Sequence, residues 1–316
     1  MSTTEAQVRV ALNPTQRHVF DEVLALGGNR PTAPEGIATE LEQAILSGTA
    51  ASMGRWTEKR LWFGKSHLTT VLRCEGQVVA SADRSPQRGM LPATAVGIVA
   101  HRAIQIAHTH PGRPEGSYVD AAIEAATGER DFGAFWESAD LSTQSDLITQ
   151  AVSKVIAFLD SWPTLEQSWT PRFEESIQAR VGGLLLAARV DLILGRPKPG
   201  GRQTMLLCDL KSRGISDSHE LEASFYALVS TIRHGIPPWR SFVYSLSSGE
   251  YTDPDITPDR LRETAAVVVD AVNKHVAVLT EERPPLLTAG PHCRWCSLND
   301  TCPTYAAEGE LLRPAL

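Results

Sequence analysis

A chain of 316 residues, 42% apolar and 21% charged, has ordinary globular composition and can bury a large core as one elaborated domain or two. Its net charge of −7 argues against indiscriminate nucleic-acid binding, and no apolar run is long enough to cross a membrane. The first residues lack a basic segment followed by an apolar one, so a cytoplasmic setting is expected, where five cysteines bind metal more readily than they form disulfides.

In chain order, the pattern predicts short amphipathic helices over 15–28 and 36–47, broken by Gly27-Gly28 and by Pro31 and Pro34. Another helix is expected from Ser66 to about Ala80. A longer one starts at Pro92, where Val96, Val99, Ala100, Ala103 and Ile106 recur at helical spacing. The stretch 117–161 also reads as helices, ending before Trp162-Pro163, so the first half is expected to be almost wholly helical. The period then changes. Trp169 to Val181 reads as extended, Gly182-Gly183 as a turn, Leu184 to Leu194 as an apolar strand, 195–201 as a loop and Thr204 to Asp209 as a further strand. A helix over 217–233, a strand from Arg240 to Leu246 and a helix from Pro258 to about Leu279 complete an α/β core set in a helical shell.

Charge is unevenly distributed. Residues 115–160 carry a local −7, while 55–88 and 172–213 each carry +4, which fits solvated surface or a track for a polyanion equally well.

Two groups of residues carry chemistry. Asp191 lies inside an apolar strand, and Asp209 and Lys211 fall on one face of the next. If those strands pair, two carboxylates approach each other and repel, a cost that a bound Mg2+ or Mn2+ removes. Lys211 then orients a water or neutralises charge in the transition state. Taken alone, Asp209 and Lys211 fit a surface ion pair as well. The second group is Cys293, Cys296 and Cys302, whose spacing brings three thiolates to one centre and demands a fourth ligand from elsewhere.

In this order the motifs resemble the RecB-like branch of the PD-(D/E)XK nucleases, over about residues 66–303. Gly97-Ile-Val-Ala-His101 is similar to that branch's G-x-x-x-H helix, Asp191…Asp209-Leu-Lys211 to its D…D-x-K core, and Glu222-Ala-Ser-Phe-Tyr226 to its Q-x-x-x-Y helix, with glutamate for glutamine. The branch's iron–sulfur members have one cysteine before the histidine helix and three near the C-terminus. The resemblance thus implies Cys74 as partner of Cys293, Cys296 and Cys302, although Glu75 stands where those members have proline.

What the resemblance implies is a mixed central sheet flanked by helices, with an N-terminal helical region (1–65), a nuclease domain (66–303) carrying an acidic helical insertion at about 115–160, a four-cysteine clasp and a C-terminal tail (304–316). It implies His101, Asp191, Asp209 and the Leu210 carbonyl as ligands of Mg2+ or Mn2+, Lys211 as the residue assisting water, and Glu222 and Tyr226 as groups orienting the site or the strand. The cysteines would hold a structural [4Fe–4S] cluster, with zinc as the alternative, His292 as a minor substitute ligand and Cys208 as a buried core thiol. The expected activity is cleavage of DNA, single-stranded or at duplex ends, by an exonuclease mode in repair or phage defence. No Walker A loop is present, so unwinding would fall to a helicase or another partner protein. A catalytically weak nuclease-fold subunit that binds DNA or a partner, and a zinc-stapled scaffold, are the competing readings.

Overall fold

The computed structural model describes residues 12–25, 30–82, 89–198 and 201–312. Helix α1 (Pro14–His18) is capped by the Asn13 side chain and runs into a π-helical turn, Val19–Leu24. Helix α2 (Ile37–Arg55) precedes strand β1 (Leu61–Gly64) and helices α3 (Lys65–Arg73) and α4 (Gly76–Ala82). Then follow α5 (Pro92–Thr109), α6 (Glu115–Thr127), α7 (Arg130–Ser138) and α8 (Leu141–Ser161). Strands β2 (Arg172–Val181), β3 (Leu184–Leu194) and β4 (Leu206–Lys211) lead to α9 (Ser218–His234), β5 (Arg240–Ser245), β6 (Tyr251–Thr252), α10 (Pro258–Leu279) and α11 (Pro303–Leu312).

The six strands form one mixed sheet: β3 pairs antiparallel with β2 and β4, β1 runs parallel to β3, β5 runs parallel to β4, and β6 closes the far edge. Each face buries its own core. On one, Ile37, Leu41 and Ile45 of α2 and Leu68 of α3 pack with Phe225 of α9 and Val268 and Val272 of α10. On the other, Val99 and Ala103 of α5, Val119 of α6, Phe132 of α7 and Ala151 of α8 cover Cys208, Leu210 and Phe242.

Among the described residues the first half is almost wholly helical, as expected, the one strand being Leu61–Gly64, paired with Leu184–Ala187. One expectation is corrected. The helix expected over 66–80 is two helices, since Cys74 is extended (φ −164, ψ 117) and breaks it before Glu75. The end of the helix expected over 15–28 and part of the 195–201 loop lie outside the described residues. Within the region 1–65, β1 and the apolar face of α2 belong to the sheet's own core.

Candidate active site

The topology leaves a gap in the middle of the sheet. Strand β2 occupies one edge of β3 from Leu184 to Ile193. On the other edge, β1 pairs only with Leu184–Ala187 and β4 only with Leu192–Leu194. The C-terminal ends of β1 and β4 therefore point towards each other along β3, over the stretch from Ala188 to Asp191. Side chains leaving both ends converge on that gap, where polar groups find room between two covered faces.

The strands also change face there. Leu184, Leu186, Ala188 and Val190 join one core, whereas Leu192 and Leu194 join the other. The pairs Phe173↔Leu192 and Glu175↔Val190 leave Glu174 opposite Asp191 with no ladder pair between them, and Glu174 adopts a left-handed backbone (φ 53). For a residue with a Cβ this is strained by about 1 kcal/mol or more, and such strain collects at functional sites.

The side chains fall into two adjoining groups. In the first, His101 reaches down from α5, its Nδ1 3.4 Å from Asp191 Oδ1 and 3.5 Å from Glu174 Oε1. One ligand atom from each of His101, Glu174 and Asp191 lies within 4.8 Å of the others. Asp191 Oδ2 accepts the Leu210 N–H at 2.6 Å, and Arg189 Nε donates to Glu174 Oε2 at 2.8 Å. Burial disfavours the charged imidazole, but Asp191 and Glu174 outweigh it and push His101 up to about 10. Burial, reinforced by the charges of Asp209 and Glu174, holds Asp191 above the ordinary carboxylate range against the pull of His101. This half of the site demands positive charge, and in its absence retains a proton.

The second group surrounds Asp209. Its Oδ1 accepts from Lys65 Nζ at 2.9 Å and from the Tyr226 hydroxyl at 2.8 Å, and Lys211 Nζ lies 2.7 Å from Oδ2. Lys211 also donates to Glu222 Oε2 at 2.8 Å, and Lys65 stands 3.4 Å from the same oxygen. Asp209 is 2% exposed. Burial would raise its pKa, but Lys65 and Lys211 overcome that and hold the carboxyl below the usual range. Burial likewise opposes the charge on Lys211, while Asp209 and Glu222 keep it an ammonium.

Sequence reasoning selected His101, Asp191, Asp209, Lys211, Glu222 and Tyr226, and all six lie in these two groups. It missed Glu174, Lys65 and Arg189. Glu174 sits in a charged run of β2 with no pattern of its own. Lys65 follows a strand too short to recognise, and only the head-on approach of β1 and β4 brings it to Asp209.

The four cysteines lie elsewhere. Cys74 at the end of α3 and Cys293 are buried, Cys296 and Cys302 half-buried, and all four line one cavity of about 110 Å³ with Leu287, Thr288 and His292. Backbone N–H groups of Thr288 and Gly290 donate to the sulfurs of Cys74 and Cys293 at 3.5 and 3.4 Å. Burial raises the Cys296 thiol, and the three other cysteines raise it further. His292 is engaged with the Thr288 carbonyl at 3.1 Å. Cys208, a residue of β4, is fully buried in the core on the α5–α8 face of the sheet, apart from this cavity.

Glu75, the departure from the expected proline, ties this region down. Its carboxylate accepts from both terminal nitrogens of Arg283, at 2.6 and 2.9 Å, and from the Leu286 N–H at 2.8 Å. Arg283→Met should therefore cost about 1–3 kcal/mol, because Glu75 remains buried with one donor. The Arg283 hydrogen bonds lower the Glu75 pKa, so the pair's stabilisation is present above the ordinary carboxylate range and fades as pH falls through the depressed value. Denaturant melts of both proteins should converge in acid; an undiminished gap there would refute the assignment.

A family model for the PD-(D/E)XK nuclease superfamily matches residues 64–303, most of the chain and all of the two groups described above. No curated protein matches the sequence. The chain belongs to the PD-(D/E)XK nuclease superfamily, whose nucleases are phosphodiester hydrolases that use divalent metal ions.

Proposed function

We propose that the protein is a Mg2+- or Mn2+-dependent DNA nuclease of the RecB-like branch, acting as an exonuclease on single strands, with a structural [4Fe–4S] cluster and a cytoplasmic place in repair or defence. The observation that carries the nuclease reading is the trio His101, Glu174 and Asp191, gathered within 4.8 Å from three elements and set beside the Asp209–Lys211 strand end. Imidazole and carboxylate donors suit a small divalent cation. Asp209 and the Leu210 carbonyl complete the ligand set in this reading, and Glu174 joins it.

The divalent ion supplies Lewis acidity and lowers the pKa of a water. The chain does the rest. Tyr226 fixes one oxygen of Asp209, while Glu222 and Asp209 hold the Lys211 ammonium in place for the charge that develops on the phosphate. Because Lys211 stays protonated, it orients and neutralises rather than accepting a proton. Digestion of end-labelled single- and double-stranded DNA with Mg2+ or Mn2+ tests the reading, and absence of cleavage with either ion and either substrate would overturn it.

Glu174→Gly separates metal binding from folding. It removes a ligand, and relief of the left-handed strain offsets part of what is lost with the His101 and Arg189 contacts and with the freer unfolded chain, so the stability of the metal-free protein should change by only about 1 kcal/mol or less. Calorimetry should meanwhile show Mn2+ affinity down about tenfold or more. Unchanged affinity would remove Glu174 from the ligand set.

The iron–sulfur assignment is supported by the one-plus-three arrangement of cysteines that resembles the iron–sulfur members of the branch, and by the way all four thiols line one cavity of about 110 Å³.

A further inference from the structure

Lys65 is an ammonium of the Asp209 group that the D-x-K pattern does not supply. It is the first residue of α3, immediately after β1, at the lip of the gap. An ammonium at a helix N-terminus faces the positive end of the helix dipole, so local structure disfavours it there. What holds it is the site: Asp209 Oδ1 at 2.9 Å, Glu222 Oε2 at 3.4 Å and the Tyr226 ring, whose centroid is 5.2 Å away.

Asp209 is already claimed by two ammonium groups: Lys65 and the Tyr226 hydroxyl donate to Oδ1, and Lys211 Nζ lies 2.7 Å from Oδ2, a buried oxygen that receives no hydrogen bond. The Asp209–Glu222–Lys65–Lys211 cluster is thus neutral, and a divalent ion arriving at Asp209 would face two ammonium groups. One must give way. Lys211 leaves a strand hydrogen-bonded to β5 and holds the two carboxylates at 2.7 and 2.8 Å. Lys65 holds the same two more loosely, at 2.9 and 3.4 Å, and sits on a helix end with a flexible stem, so it can swing out without moving the sheet.

We propose that Lys65 is the resident counter-ion of Asp209, occupying the carboxylate in the metal-free protein and leaving it when the divalent cation binds. In the metal-free protein its charge also balances Glu222. The inference rests on the reading of Asp209 as a metal ligand.

The test is lysine labelling by reductive methylation, read by mass spectrometry on the full-length protein with and without Mn2+, beside calorimetry of Mn2+ binding. Mn2+ should raise labelling of Lys65 several-fold and leave Lys211 protected. Lys65→Met should bind Mn2+ several-fold more tightly than the native chain, and Lys65→Arg should not. If Mn2+ binds while Lys65 labelling stays flat or falls, the exchange is wrong and the metal centre stands. If calorimetry shows no Mn2+ binding in any of the three proteins, the metal-centre reading fails and this inference with it.

Discussion

Lys211→Met should lower the rate of DNA cleavage about a hundredfold or more while leaving the protein folded. The side chain is held between Asp209 Oδ2 and Glu222 Oε2, so its position is set before substrate arrives, and such preorganised charge is worth most at a site shielded from water. Some stability should be lost as well, because Lys65 alone then faces the buried carboxylates of Asp209 and Glu222. Asp209→Asn should abolish cleavage by a different route, since it removes a metal ligand of the proposed centre and leaves Lys65 and Lys211 facing the single carboxylate of Glu222. Single-turnover cleavage beside calorimetry of Mn2+ binding separates the two: Lys211→Met lost in rate with the metal still bound, Asp209→Asn lost in rate and in Mn2+ affinity. A Lys211→Met protein within a few-fold of the native rate would remove the lysine from the chemistry.

Much of this centre is legible in the sequence because each motif rides on an element with a strong period. His101 lies on a helix whose apolar residues repeat cleanly, and Asp209 and Lys211 interrupt a strand that is otherwise apolar. What the sequence hides depends on pairing. Leu61–Gly64 is too short to announce a strand, and it becomes one only by lying along Leu184–Ala187. Lys65 belongs to the site solely through that pairing. The break at Cys74 is hidden for a similar reason. The residues on either side favour a helix, and the interruption is accompanied by the grip of Arg283 and Leu286 on Glu75, more than two hundred positions away in the chain. The change of face at Glu174 and Asp191 also has no local signal, since it is a property of two strands together.

If the four cysteines hold the proposed cluster, Cys74→Ser should cost more stability than either Lys211→Met or Asp209→Asn, because it would open a link between α3 and the C-terminal segment. A centre joining Cys74 to Cys293 closes a loop of about 220 residues. By the loop-entropy argument for a covalent cross-link, that closure is worth about 5 kcal/mol. The surrounding contacts would only partly make good the loss: Glu75 and Arg283 still bridge the same two segments, but as an ion pair whose guanidinium is 35% exposed. Cys208→Ser, in contrast, disturbs a buried core position and no cluster, so it should destabilise through packing alone and leave any visible absorption intact. Anaerobically purified native protein should show a broad band near about 400 nm from thiolate-to-iron charge transfer, lost in Cys74→Ser together with the melting temperature. A Cys74→Ser protein that kept both the band and the native melting point would exclude Cys74 as the fourth ligand, and with it the clasp that joins the two ends of the nuclease domain.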